Sequence, residues 1–351
     1  AIVGVLAAVH VLMPLLGLKY ALLSAAVVDI ALGLVLLARY SPKLGNSRVP
    51  ALVPAAAISA AAVVASSLLV TFDPAVLNSS VYRSGSSSLG NAARMVFYKD
   101  GKTATVAVFE HGPKGSEVSM IATNGKVDAG LALKPGQAPT PDESTMVLLA
   151  AVPLSMREGY DRVGVIGFGS GMTTHTLLGH EKVGLVDTVE IEPAMVEGAR
   201  HFGARVSRAY TDPRSHVIID DAKAYFASVP KKYDLIISEP SNPWVGGTAS
   251  LFSTEFYQYV PKQLNNDGLF VQWLQLYEIT PELVNSVLSA MLANFSDVNA
   301  YLANESDLIL VASPHGKVPS LGAAIFKQPL VAADLKRIGV DDLRALQDTK
   351  A

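Results

Sequence analysis

Three carboxylates close three apolar runs in the second half of the chain. Glu190 ends "VDTVE", Asp221 ends "SHVIIDD" and Glu239 follows "YDLIIS". Upstream of them, Gly167, Gly169, Ser170 and Gly171 follow the run "VGVI". A glycine-rich turn after a strand lets a ligand approach the backbone with no Cβ in the way. A carboxylate at the next strand end accepts hydrogen bonds from two ribose hydroxyls, and one at the third suits an adenine amino group. Dinucleotides and S-adenosyl ligands both offer such groups. The glycine spacing here is G-x-G-x-G followed by Met172 and Thr173, not the dinucleotide G-x-G-x-x-G. Together with Glu190 and Glu192 beyond it, the combination favours an S-adenosyl ligand.

The fourth strand end carries the turn "EPSNPW". Glu239 there faces a cofactor across the cleft, where it can take a proton from an amine or hold it as a cation. The chain has two tryptophans. Trp244 lies in this turn, and Trp273 lies at the end of the next strand with Tyr277 just beyond. These three rings either wall a cationic substrate or serve as packing residues. His175, His180 and His201 are isolated, no metal-ligand spacing appears, and no metal is expected.

Those side chains share a cleft only if their strands are neighbours. From about residue 145, apolar runs such as "RVGVIGFG", "YDLIISEP", "GLFVQWL" and "DLILVAS" alternate with helix-length segments. That pattern predicts a Rossmann-like, methyltransferase-type α/β domain over 145–315, a parallel sheet with helices on both faces. Its ligand belongs beyond the carboxyl ends of the strands. Short alternating runs with glycine turns over 92–144 predict a small antiparallel β-domain. Residues 73–91 are rich in Ser and Gly and read as a linker. The tail, 316–351, reads as amphipathic helices that cover the cleft or make an oligomer contact.

The first 72 residues hold five charged side chains of the Lys, Arg, Asp or Glu type: Lys19, Asp29, Arg39, Lys43 and Arg48. The segments 1–18, 20–38 and 49–72 are each long and apolar enough to cross a bilayer, with a tight turn around Lys19. About three transmembrane helices and a multi-pass membrane location are therefore expected. In such a hairpin His10 and Asp29 share a depth, as an ion path or as a polar pair fixing register. Arg39, Lys43 and Arg48 place the following loop in the cytoplasm. A third crossing would then put the large domain outside, whereas a nucleotide co-substrate argues for the cytoplasmic side, which is the expected placement. Net charge is −3, so nothing points to nucleic acid. The chain has no cysteine, which excludes disulfides and thiolate chemistry.

The stretches "YKDGKTATVAVFE", "NGKVDA", "VGVIGFGSGMTTHTLL", "VEIEPAMVEGAR", "DPRSHVIIDDAKAYF", "YDLIISEPSNPW", "SLFSTEFYQ" and "GLFVQWLQLY" together resemble the spermidine synthase-like family, the polyamine aminopropyltransferases. The likeness covers roughly residues 92 to 313. It looks closest to the branch in which transmembrane helices precede the synthase-like domain. The resemblance implies an aminopropyl transfer from decarboxylated S-adenosylmethionine to a small amine or polyamine, often by a dimer. Gly167, Gly169, Glu190 and Asp221 would bind the adenosyl moiety, and Glu239 would hold the catalytic acid position. Asn242, Trp244, Trp273 and Tyr277 would face the acceptor.

Three departures bear on that expectation. The family's "GGGDGG" loop has an Asp that holds the cofactor's amine, where this chain has Ser170. Its "DSSDP" turn reads Glu239-Pro240-Ser241-Asn242-Pro243, so the second carboxylate becomes a neutral amide. Its "DEFxYHEM" gate reads "DESTMVLL" from Asp142, without the Tyr and His. Intact S-adenosylmethionine as co-substrate, with methyl or other alkyl transfer to a membrane-proximal acceptor, stays open on these grounds. So does a non-catalytic S-adenosyl-binding module supporting a membrane partner.

Overall fold

In a computed structural model, residues 2–40, 49–90, 93–243 and 247–351 are described. The first apolar stretch is one helical run, Ile2–Tyr40, broken at Gly17, whose φ of 73° and ψ of 170° leave the helix. The break falls two residues before the predicted turn at Lys19. A second helix, Val49–Leu69, has 21 residues, about 31 Å at 1.5 Å per residue. Both helices are long and apolar enough to cross a membrane, and almost none of either span is buried against the rest of the fold. They are tied at one end. The Leu18 N–H donates to the Asp100 carboxylate at 2.8 Å, and the Lys19 ammonium donates to the Ser67 carbonyl at 2.7 Å. His10 and Asp29 are both exposed, and among the described residues no ion pair joins them. Lys43 and Arg48 lie outside the described residues.

The segment read as a linker carries the helices Pro74–Leu77 and Val81–Ser84. Asp73 caps the first by accepting the Ala75 N–H at 2.9 Å. Asn78 and Ser79 are buried, and Ser80 bonds the Gly125 carbonyl. This segment therefore packs on the small sheet that follows.

That sheet is an antiparallel meander of β1 (Arg94–Asp100), β2 (Thr105–His111), β3 (Val118–Thr123) and β4 (Lys126–Ala132). Asn124 and Gly125 join β3 to β4, both at positive φ, as a tight hairpin of this type requires. The larger sheet holds β5 (Tyr160–Ile166), β6 (Val183–Glu190), β7 (Ser215–Ile219), β8 (Tyr233–Ser238), β9 (Leu264–Gln275), β10 (Asp297–Asn304) and β11 (Asp307–Ser313). Their order is β10-β11-β9-β8-β5-β6-β7. Strands β5 to β9 pair in parallel, but β11 runs antiparallel to both its neighbours. The sequence pattern places the run "DLILVAS" in a parallel sheet. A short apolar run records burial and not direction, so that reading needed the tertiary structure to correct it.

The helix Pro141–Met156 is buried along nearly its whole length and is wedged between the two sheets. Its Glu143 is fully buried and pairs with Arg205 and Arg337. Arg337 belongs to the tail helix Pro329–Arg337, whose Asp334 also meets Arg208 at 2.5 Å. Leu302 N–H donates to Thr349 O at 2.7 Å, so the chain end runs along the β10 edge. The tail thus packs against its own chain.

Candidate active site

The chain order reverses between β5 and β8, the switch point at which ligands of open α/β sheets bind. The glycine loop leaves β5 there and the Glu239 turn leaves β8. The two turns nearly touch. Gly167 has a φ of 93°, and a Cβ on it would stand 2.5 Å from the Glu239 carbonyl oxygen. Only glycine satisfies both conditions. Gly169, at φ 51°, opens towards the Glu239 carboxylate, with Oε1 3.9 Å from where its Cβ would be.

Glu190 ends β6 beside the loop. Its Oε2 accepts the Phe168 N–H at 2.9 Å and its Oε1 accepts the Glu192 N–H at 2.8 Å. Burial raises its pKa, and these backbone donors oppose the rise. Glu192 is a second junction. Its Oε1 caps the helix Pro193–Ala199 through the Ala194 N–H at 3.0 Å. Its Oε2 accepts the Thr103 N–H at 2.8 Å and the Thr103 hydroxyl at 2.9 Å, both from the β1–β2 turn. Asp100 at the start of that turn is the residue that holds the Leu18 N–H. A hydrogen-bonded path therefore runs from the base of the apolar helices to the glycine loop.

Asp221 follows β7, is exposed, and caps the helix Ala222–Ser228 by accepting the Ala224 N–H at 2.8 Å. The neighbouring Asp220 N–H donates to the Glu190 carbonyl at 3.1 Å, which keeps the second and third strand ends together. Ser170 is turned inward. It is fully buried, its hydroxyl meets the Met146 thioether at 2.9 Å, and it accepts the Met172 N–H at 3.2 Å. Two positions that depart from the family pattern, in the glycine loop and in the gate, are thus packed on each other.

Glu239 is buried, and its Oε2 has no hydrogen-bond partner. An ionised carboxylate so placed is unfavourable by several kcal/mol, on the order expected for an unpaired buried charge. Burial accordingly pushes its pKa up to about 8, with a hydrogen bond from Thr173 opposing the rise. Three more buried polar atoms nearby lack partners: Ser238 Oγ, Asn242 Nδ2 and Gln275 Oε1. Native structures leave few such atoms unsatisfied, and here they gather at the neighbouring ends of β8 and β9.

The far side of the cleft is built from several elements. The Tyr277 hydroxyl donates to Asn242 Oδ1 at 3.4 Å. The Arg83 guanidinium lies 5.3 Å from the Tyr277 ring centroid and pairs with Glu278 at 2.7 Å. Trp273 packs in the core, and its indole N–H donates to Asp307 Oδ1 at 2.9 Å. The other Asp307 oxygen takes the Thr145 hydroxyl and the Asn304 amide, each at 2.8 Å. Trp244 lies outside the described residues. Burial, aided by the nearby charge of Asp307, pushes the Asp142 carboxyl up to about 6.

Sequence reasoning did not single out Lys126, Asp128, Ser241 or Gln275. Lys126 is buried at the start of β4, with its ammonium 3.3 Å from Asp128 Oδ1 and 3.2 Å from Ser241 Oγ. The Ser241 hydroxyl also donates to Asp128 at 3.0 Å. A lysine and an aspartate two apart on a short strand share one face, which was the available signal. What they face depends on how the two sheets meet.

Residues 144–305 match the profile of the spermine/spermidine synthase domain. The polyamine aminopropyltransferase of Caldicellulosiruptor saccharolyticus is 32% identical over 155 residues, 44% of this chain and 55% of that protein. The enzyme of the same name from Methanocaldococcus jannaschii is 36% identical over 125 residues, 36% of this chain and 42% of that protein. The Bacillus subtilis one is 31% identical over 157 residues, 45% and 56% respectively. The chain spans about half the length of these curated relatives. In fold it is similar to Thermotoga maritima spermidine synthase, with a TM-score of 0.53 and 19% identity over 70% of this chain and 88% of the other. A spermidine synthase bound to the transition-state analogue AdoDATO superposes similarly, with a TM-score of 0.54, 19% identity, and coverage of 70% and 89%. By sequence, then, residues 144–305 are similar to the spermine/spermidine synthase domain, and by fold the chain is similar to solved spermidine synthases.

Proposed function

We propose that the chain is a membrane-anchored aminopropyltransferase that moves an aminopropyl group from decarboxylated S-adenosylmethionine to an amine acceptor. The observation that carries this reading is the Glu239 carboxylate, which is buried, raised in pKa, without a partner on Oε2, and set beside the glycine loop. Such a group seeks a cation or a proton. The named relatives support the same chemistry.

Gly167, Gly169 and Gly171 line the adenosyl site in this reading, with Ser170 packing beneath them. Glu190 takes the ribose hydroxyls and Asp221 the adenine edge. The sulfonium of the bound co-substrate activates the propyl carbon next to it. The acceptor nitrogen attacks that carbon in line, the carbon–sulfur bond breaks, and the sulfur leaves with the electron pair as 5′-methylthioadenosine. Glu239 takes the proton that the new ammonium loses. Asn242 and Tyr277 orient the acceptor, and the glycine loop supplies proximity.

The anchor is the pair of apolar helices, which the soluble fold leaves uncovered. A bilayer is the solvent that suits such surfaces. Because Leu18, Lys19 and Ser67 are tied at one end, two crossings place the Tyr40–Val49 connection on the side opposite the catalytic part. We place the catalytic part in the cytoplasm, where S-adenosyl nucleosides are made. The detergent-purified chain, given decarboxylated S-adenosylmethionine and a panel of amines, should release 5′-methylthioadenosine together with an aminopropylated amine. Release of neither would sink the reading.

A further inference from the structure

The stretch that joins the apolar helices to the small sheet is built inside out for water. Between Val70 and Gly90 the only charged side chains are Asp73 and Arg83. Its polar groups turn towards the protein. Asn78 and Ser79 are buried, the Ser80 hydroxyl donates to the Gly125 carbonyl, and Arg83 pairs with Glu278. Asp73 caps Pro74–Leu77. Its apolar groups turn outwards, with Val76, Leu77, Val81 and Tyr82 between 42% and 68% exposed. Single exposed apolar residues are ordinary in a soluble fold. A short stretch that buries its polar groups and bares its aliphatic and aromatic ones is not.

The position of this stretch says what covers it. The helix Val49–Leu69 is prolonged by the Val70 N–H, which donates to the Ser66 carbonyl at 3.2 Å. Pro74 follows four residues on, at most about 14 Å away. The same end of the apolar helices meets the small sheet, where Asp100 takes the Leu18 N–H. Asp100 pairs with Thr105 across β1 and β2, and the Thr105 N–H donates to Asn124 Oδ1 at 2.9 Å. The Asn124–Gly125 hairpin under Ser80 is therefore at that end too. The outward face continues the uncovered surface of a membrane-length helix. A bilayer interface takes apolar side chains to about 5–10 Å depth and suits a ring with a polar tip, as in Tyr82.

We propose that Pro74–Arg83 is a lipid-docking surface, with Val76, Leu77, Val81 and Tyr82 seated among the headgroups of the bilayer that the apolar helices cross. This rests on the membrane-anchor reading above. Arg83 holds Tyr277 from the inner side of the stretch, and the Tyr277 hydroxyl donates to Asn242, so the docked stretch also braces the cleft.

Nitroxide quenching tests this, because the chain has no native thiol. Leu77→Cys and Tyr82→Cys each carry a nitrobenzoxadiazole label on the full chain in phosphatidylcholine vesicles. Lys114→Cys is the control. It lies in the β2–β3 turn at the other end of the small sheet, about 23 Å along a seven-residue strand. Val28→Cys, exposed in the first apolar run, reports the anchor itself. Lipid with its nitroxide near the headgroup should quench the Leu77 and Tyr82 sites about twofold or more beyond the Lys114 site, and more than lipid with the nitroxide at the chain end does. The Val28 site should show the reverse depth order. Quenching at Leu77 and Tyr82 no greater than at Lys114 overturns the proposal. So does a blue-shifted but unquenched label at Tyr82, which means that protein, such as a second copy of the chain, covers the stretch. Quenching at Val28 alone defeats the docking surface and leaves the anchor standing. Escape of the Val28 site as well defeats the anchor reading beneath it.

Discussion

The Glu239 carbonyl oxygen lies 2.5 Å from the point that a Cβ on Gly167 would occupy. The contact is backbone against a new side chain, at a φ of 93°, so neither a rotamer change nor a small shift relieves it. Gly167→Ala should lower stability by about 2 kcal/mol or more and abolish binding of 5′-methylthioadenosine. Gly85→Ala is the control. Its φ of 69° and ψ of 0° are left-handed helical but nothing lies within 4 Å, so only conformational strain of about 1 kcal/mol is expected. Thermal unfolding and nucleoside calorimetry on both variants read the difference. Equal losses would mean that the approach of the two turns is not tight.

Glu239 also makes stability depend on pH. Its carboxyl titrates near 8 in the folded chain against 4.5 unfolded, so the folded state holds the extra proton between those values. Stability should therefore fall as pH rises from about 4.5 to about 8. Glu239→Gln removes that loss. The variant should melt well above the wild type at pH 9 and close to it at pH 5, by a difference on the order of a few kcal/mol. Parallel melting curves at both pH values would show that the carboxyl is not so buried.

Glu192 joins the β1–β2 turn to the strand end that carries Glu190. Hydrogen bonds to a charged group contribute about 1.5–3 kcal/mol each. Glu192→Ala leaves the Thr103 and Ala194 donors without their acceptor. It should lower stability by about 3 kcal/mol and weaken nucleoside binding roughly tenfold. Unaltered nucleoside affinity would separate this junction from the site.

The orientation is testable because the chain has no native thiol. Ser47→Cys puts one cysteine between the two apolar helices. In intact cells it should react with a membrane-impermeant thiol reagent, since the catalytic part is placed in the cytoplasm. Protection until the cells are lysed would favour the reverse orientation, in which Arg39, Lys43 and Arg48 obey the positive-inside rule.

What the sequence made legible were strand ends. Gly167, Glu190, Asp221 and Glu239 each follow an apolar run, and the fold brings those runs side by side at one switch point. Directions and inter-sheet contacts were not legible. The run at β11 records burial only. Lys126 meets Ser241, 115 residues away, through the docking of one sheet on another. Arg337 reaches Glu143 across 194 residues. Ser170 was named for its place in the loop, yet its hydroxyl turns inward, because loop position does not set side-chain direction. A charge between two apolar runs places a tight turn around Lys19, and the helical run breaks at Gly17 instead. A glycine at positive φ makes it, and Asp100 receives the exposed helix-start N–H.

The most direct test of the account is the pH profile of kcat/KM for aminopropyl transfer in the wild type and in Glu239→Gln. With Glu239 as the base, the wild-type profile should rise to a limb near pH 8. The variant should lose that limb and fall by about 10²–10⁴-fold. Transfer by Glu239→Gln at near wild-type rates, with the same limb, would contradict it.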